Sequence, residues 1–220
     1  ILRYPISHLQ KCQNLEPKSL KYSVIVIYII YSNSTEDIEE NVNGVGCFND
    51  DFRDAVKGSV FNPTEGGFVQ GNYGGIMKII AGLTGSVRGR GGFTKKIGRS
   101  INYVECHDNH TLFDKLAITA IGKNTTGEFL TVSPEQLELV KKQDKLSAAF
   151  IYLAQGTPFI NGGQEFLRSK KGNHNSYMAP DAVNGIDISF AEKYSDVYNT
   201  YKALIAFSFE HESSQTGTSA

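Results

Sequence analysis

Cysteine is scarce. The 220 residues hold three, Cys12, Cys47 and Cys106, in no CxxC spacing. An odd count without a framework argues against a disulfide scaffold and fits a reducing compartment. Excess charge is lacking as well, since 22 Lys and Arg against 23 Asp and Glu leave a formal net charge of −1. That balance offers no field for a nucleic-acid polyanion or an acidic membrane surface. Long hydrophobic runs are missing too. The longest, Tyr22 to Tyr31, is about half the roughly 20 residues that a membrane span needs. Its β-branched and aromatic content predicts a buried strand, and an aggregation hazard where that strand has no partner.

Several short motifs are also absent. Gly122-Lys123 has no upstream glycine of a phosphate-binding loop, and the glycines at 71–75 and 89–92 do not fit the dinucleotide fingerprint. Neither Ser100 nor Ser176 stands in a nucleophile elbow. What remains is 40% apolar and 20% charged, a soluble globular profile. The chain starts at Ile1 and ends in the polar stretch Ser213 to Ala220, and both ends read as boundaries within a larger product.

The organisation follows from local signals. Residues 1–45 are irregular around the one apolar run. Asp50 to Val60 predicts a short helix, and the Gly-rich stretch 62–99 a long connection with one helix at Ile76 to Leu83. Ile101 to Glu105 predicts a strand. Thr111 with Asp114 three residues on predicts a helix start, and Ser133-Pro134-Glu135-Gln136 a stronger one. The second helix is expected to run to about Gln155, stop at Gly156, and bury a face of Leu139, Leu146, Ala149, Phe150 and Leu153. Pro158-Phe159-Ile160 predicts one more strand. Strands alternating with helices imply βαβ units and a parallel sheet, with chemistry in the loops that leave the strands' C-terminal ends. Two loops qualify: Cys106 to His110, and Asn161 to Asn184.

The first loop reads His107-Asp108-Asn109-His110. A carboxylate can accept from two adjacent sugar hydroxyls while a neighbouring imidazole donates to a third. Two other readings stand beside this one. Asp and Asn also cap loops at strand ends without any ligand. His107, Asp108 and His110 could instead ligate the metal of a metal-dependent hydrolase, although no second cluster with ligand spacing accompanies them.

The longer stretch Ile101-Asn102-Tyr103-Val104-Glu105-Cys106-His107-Asp108-Asn109-His110-Thr111-Leu112-Phe113-Asp114-Lys115-Leu116 closely resembles the seventh-strand signature of type I pullulanases, in the α-amylase superfamily. Gly46 to Gly58 resembles that family's sixth-strand segment, and Ala154 to Phe166 its eighth strand; Asn175-Ser176-Tyr177 and Asp181 to Asn184 continue the likeness. It covers about Gly46 to Ile205. The resemblance implies an α/β chain carrying part of a TIM (β/α)8 barrel, about strands 6 to 8 with their helices. It divides the chain into a non-matching lead (1–45), the barrel part (46–210) and a polar tail (211–220).

It also implies a debranching glycosidase that cleaves α-1,6 linkages of pullulan, starch or glycogen with retention, and an α-glucan partner with neither cofactor nor metal. Asp108 takes the place of the acid that grips sugar hydroxyls and stabilises the transition state. His107 donates to the same sugar, and Asn109, Asn175, Tyr177 and Asn184 are implied substrate contacts. The departures are specific. The family's nucleophile and acid/base belong to strands outside the matching region, and the acid/base segment contains Trp, which this chain lacks altogether. The usual Trp of the seventh-strand signature is Phe113, and the later Asp-Trp and Leu-Arg pairs read Asp187-Ile188 and Phe207-Ser208. A retaining glycosidase needs two carboxylates about 5 Å apart, so the chain by itself is expected to be inactive, and a non-catalytic glucan-binding remnant stays open. Three parallel strands leave open edges. Marginal stability is therefore expected, with Tyr22 to Ile30 as a candidate substitute strand on one edge.

Overall fold

The computed structural model describes residues 46–211. Tyr22 to Tyr31, Cys12 and the polar tail lie outside the described residues, so the substitute strand does too. Three short strands form one parallel sheet in sequence order: β1 (Cys47–Phe48), β2 (Ser100–Asn102) and β3 (Thr157–Pro158). The register pairs Cys47 with Ser100 and Ile101 with Thr157. The alternation read from the sequence is therefore present, with shorter ladders than expected. Tyr103, Val104 and Glu105 continue past the paired part of β2 as buried backbone.

Helix α1 (Asp50–Lys57) begins where Asn49 accepts the Phe52 N–H, and Asp50 and Asp51 in its first turn favour the positive end of the helix dipole. The Asn49 amide also donates to Ser86, Ser100 and Asn102, which ties β1 to β2 through side chains. After α1, the chain makes single-turn helices at Phe68–Gln70 and Tyr73–Gly75 before α2 (Ile76–Leu83), so the long connection is more structured than its composition suggests.

Helix α3 (Leu112–Ile121) starts on Thr111, whose hydroxyl accepts the Asp114 N–H. Asp114 does not complete a capping box, because its carboxylate turns inward toward Ser169 and Lys170. Helix α4 (Pro134–Leu153) has both halves of the box: Ser133 Oγ accepts the Gln136 N–H, and Gln136 Oε1 accepts the Ser133 N–H. The Gln136 amide then donates to Ala120 at the end of α3, linking the two helices. Replacing Ser133 with Ala is expected to cost about 1 kcal/mol in urea unfolding; an unchanged midpoint would remove the cap from the account.

The expected face of α4 is buried only in part: Phe150 packs on the core and Ala149 is half-buried, but the leucines are not. Leu139, Leu146 and Leu153 are about half exposed, while Val140, Asp144, Ser147, Ala148 and Ile151 are fully buried. The heptad spacing of the three leucines marks a real stripe, but the polar residues between them find internal partners and take the interior. α4 also ends at Leu153, and Gly156 serves the turn into β3 with φ +119°, where a Cβ would lie 2.7 Å from the Ser100 carbonyl oxygen.

The C-terminal part contains two short helices, α5 (Asp181–Asn184) and α6 (Ser189–Lys193), and then α7 (Ser195–Glu210), which packs on α4. One core cluster joins Phe52, Val56, Val104, Leu112, Leu116, Val140 and Ile151. A second joins Ala148, Tyr152, Leu167, Val197 and Tyr201. The first packs α1, α3 and α4 around Val104, just past β2, so it fixes the backbone from which the candidate loop departs.

Candidate functional site

Two loops meet beyond the C-terminal ends of β2 and β3. The first begins at Glu105, a side chain only 1% exposed. One of its carboxylate oxygens accepts the Leu112 N–H at the start of α3 (2.7 Å), and the other accepts the Asn161 amide from the loop after β3 (2.8 Å). A single buried carboxylate thus anchors both loops. Burial pushes it up to about 7, against the downward pull of those two hydrogen bonds and of Lys57.

Asp114 makes the second link. Ser169 donates to one oxygen at 2.5 Å and the Lys170 N–H to the other at 2.9 Å. The Lys170 ammonium in turn donates to the His107 carbonyl at 2.5 Å, so the second loop holds the backbone of the first. Asn109 occupies the left-handed region at φ +60°, a conformation Asn tolerates and most residues avoid.

On this frame His107 and Asp108 are exposed, Asn109 is half-buried and His110 is buried. The Cys106 thiol donates to Asp108 Oδ1 at 2.5 Å. Partial burial raises the Asp108 carboxyl, but the thiol and neighbouring His107 outweigh it, and the net displacement is downward. Asp108 is therefore an anion and a hydrogen-bond acceptor at neutral pH, suited to hydroxyls and unsuited to donating a proton.

His110 does not join His107 and Asp108. It packs against His174 with ring centroids 5.5 Å apart, and burial, with His174 and Lys57 adding to it, lowers its imidazole to about 4. The metal-hydrolase set of His107, Asp108 and His110 is thus not assembled, because the third ring turns into the protein. It does bring the two loops into register, since His174 opens the segment that carries Asn175 and Tyr177.

Asn175 and Tyr177 are exposed there. Asn184 spends its amide on the Ser176 and Ala179 carbonyls, at 2.6 and 2.9 Å, and so closes the loop on itself. Asp50, Arg53 and Asp54 form ion pairs: Arg53 meets Asp54 at 2.6 Å and Asp50 at 3.2 Å. Arg53 also donates to Tyr103, whose hydroxyl donates to Asp50. Phe48, Tyr103 and Phe159, one aromatic from the end of each strand, pack edge to face beside them.

Sequence reasoning missed Glu105, Asp114 and Lys170 as the groups that hold the site, and Lys115 as the anchor of the chain at 59–63. Glu105, Asp114 and Lys115 were signalled only as charged residues inside otherwise apolar stretches, and Lys170, in a polar loop, carried no signal. Lys115 is buried and donates to the Ser59, Asn62 and Pro63 carbonyls.

No family model matches the chain. Individual proteins do. A pullulanase of Bacillus subtilis (strain 168) is 36% identical over 170 residues, covering 76% of this chain and 22% of its own length. The chain is a pullulanase relative. An isoamylase of a Flavobacterium species extends the kinship, 34% identical over 128 residues, which are 53% of this chain and 16% of that protein. Among solved structures, pullulanase from Paenibacillus barengoltzii in complex with maltohexaose and α-cyclodextrin superposes with a TM-score of 0.70 at 36% identity, over 80% of this chain and 26% of that one. Pullulanase from Bacillus acidopullulyticus gives 0.67 at 35% identity, over 76% and 19%. The chain spans about a fifth to a quarter of these three pullulanases. Its parallel sheet and helices belong to the fold of these enzymes.

Proposed function

We propose that this chain carries the glucan-gripping rim of a debranching glycoside hydrolase that acts on α-1,6 branch linkages. Residues 46–210 are read as the C-terminal part of its barrel, about strands 6 to 8. The observation that carries the reading is the turn at 106–109. It presents an ionised, exposed Asp108 beside an exposed His107 on a backbone held by Lys170. A relative's structure holds maltohexaose, which supports an α-glucan as the ligand class.

Asp108 accepts from adjacent hydroxyls of one glucose unit, and His107 donates to the same unit. Such bonds lower the barrier when they tighten as the ring flattens toward the oxocarbenium-like transition state. Asn109 continues that edge, and Asn175 and Tyr177 form the facing lip. Asn184 acts through the loop, holding Ser176 and Ala179 in place. Asp108 fills neither carboxylate role of a retaining mechanism, and the 220-residue chain is read as binding glucan without hydrolysing it.

Titration calorimetry with maltotetraose is expected to find weak binding that falls at least tenfold in Asp108→Ala. An unchanged affinity would remove Asp108 from the sugar site. Incubation with pullulan is expected to release no maltotriose; any turnover would contradict the inactive reading.

A further inference from the structure

The turn holds a second kind of chemistry. Cys106 Sγ, an imidazole nitrogen of His107 and a carboxylate oxygen of Asp108 all lie within 4.8 Å of one another, the one such trio of metal-ligand types found among the described residues. Consecutive residues on a straight strand alternate sides, so their convergence is a product of the bend. Lys170 on the His107 carbonyl and Asn109 in the left-handed region hold that bend. The ligands are therefore gathered before any ion arrives, which lowers the ordering cost of binding.

The donor set is a thiol, an imidazole and a carboxylate, the mixture that suits zinc and its tetrahedral analogue cobalt rather than calcium or magnesium. Bonds of about 2.0–2.3 Å place tetrahedral ligands roughly 3.5 Å apart. Cys106 Sγ and Asp108 Oδ1, hydrogen-bonded at 2.5 Å, must open by about an ångström, while the His107 nitrogen closes in by rotation of its exposed ring. His107 and Asp108 face solvent, leaving a fourth position for water.

We propose that Cys106, His107 and Asp108 bind one thiophilic divalent cation, and that the bound cation blocks the sugar-binding face of the turn. The blocking half rests on the reading under Proposed function, because coordination occupies the Asp108 oxygen and the His107 nitrogen assigned there to glucose. The thiol loses its proton to buffer on binding, and its hydrogen bond to Asp108 is exchanged for a bond to the metal.

The test is a cobalt(II) titration of the 220-residue chain with Cys12 and Cys47 replaced by Ser, followed by thiolate-to-cobalt charge-transfer absorption and by calorimetry. One ion per chain and a charge-transfer band are expected. Cys106→Ser should abolish the band and weaken binding at least tenfold, and His107→Gln, at an exposed position, should weaken it at least fivefold. Absence of the band in the parent, its survival in Cys106→Ser, or unchanged affinity in His107→Gln would each overturn the metal site. A second arm measures maltotetraose binding with and without zinc. Loss of sugar binding with zinc supports the blocking step, and undiminished binding overturns it. Failure of the metal-free chain to bind maltotetraose sinks the sugar reading while the cobalt result stands on its own.

Discussion

Replacing Asp114 with Ala is expected to lower the stability of the 220-residue chain by roughly 3 kcal/mol and to abolish measurable maltotetraose binding. Asp114 is fully buried, and its carboxylate accepts from the Ser169 hydroxyl and the Lys170 N–H, with the Thr111 hydroxyl and the Gly172 N–H also turned toward it. Removing the acceptor leaves these donors without partners in the interior, where each unmet group costs about 1–3 kcal/mol. Compensation comes only from the relief of burying the carboxyl, which raises its proton affinity in the folded chain. Asp114→Asn separates the two contributions. Both oxygens accept, so an amide keeps one bond and aims N–H groups at another donor; its cost should approach that of Ala. The binding loss follows through Lys170, because freeing its backbone releases the ammonium that holds the His107 carbonyl. Urea unfolding and calorimetry on both variants check this. An Asn variant as stable as the parent, or an Ala variant that still binds maltotetraose at parental affinity, would dissolve the proposed clamp.

That clamp marks how far local sequence signals reach. Cap chemistry acts within one turn, so the Ser133-Pro134-Glu135-Gln136 start was legible, as were helix α2 and the helix start at Thr111. The strand order followed from alternation, since parallel neighbours need a crossover between them. The turn at 106–110 was legible because its polar residues break an apolar stretch at a strand end. Tertiary partners were not legible. Asp114 has the spacing of a capping box, yet Ser169 and Lys170, 55 and 56 residues away, draw its carboxylate inward. Leu139, Leu146 and Leu153 have the spacing of a core face, yet the Tyr201 hydroxyl donates to Asp144 and so helps to bury the polar side of α4 instead. Charged residues are almost never fully buried unless paired. Nothing local says that Lys115 will find three loop carbonyls or that Glu105 will find Leu112 and Asn161. His110 illustrates the same gap: as a residue type it is a ligand candidate, and packing against His174 makes it a loop spacer.

Glu105 and His110 pull stability in opposite directions with pH. Glu105 in the folded chain is pushed up to about 7 from 4.5, principally by burial. Between those values the folded state binds more protons than the unfolded one, so its contribution is greatest below pH 4.5 and is lost as pH rises toward 7. His110 is lowered to about 4 from 6.5, again by burial first. Between those values the unfolded state binds more protons, so stability is lost as pH falls from 6.5 to 4. Over the shared window the two slopes oppose, and a parent profile taken alone understates each. Glu105→Gln isolates the first of them. The difference in unfolding free energy between parent and variant should move against the parent by roughly 3 kcal/mol from pH 4.5 to 7.5, then level off. Asp114 and Asp144, whose carboxyls burial also raises, slope the same way as Glu105 but are common to both proteins and drop out of the difference to first order. The His110 slope also runs against Asp114 and Asp144, so it is read from a second difference: parent minus His110→Gln should move against the parent as pH falls from 6.5 to 4. Urea midpoints at half-unit pH intervals decide it. A flat difference curve, or one rising in the parent's favour above pH 4.5, would show that Glu105 keeps its charge at ordinary cost. The Leu112 N–H and Asn161 amide would then offset or outweigh burial, and the anchor of the two loops would be an anion at neutral pH rather than a group that protonates near neutrality.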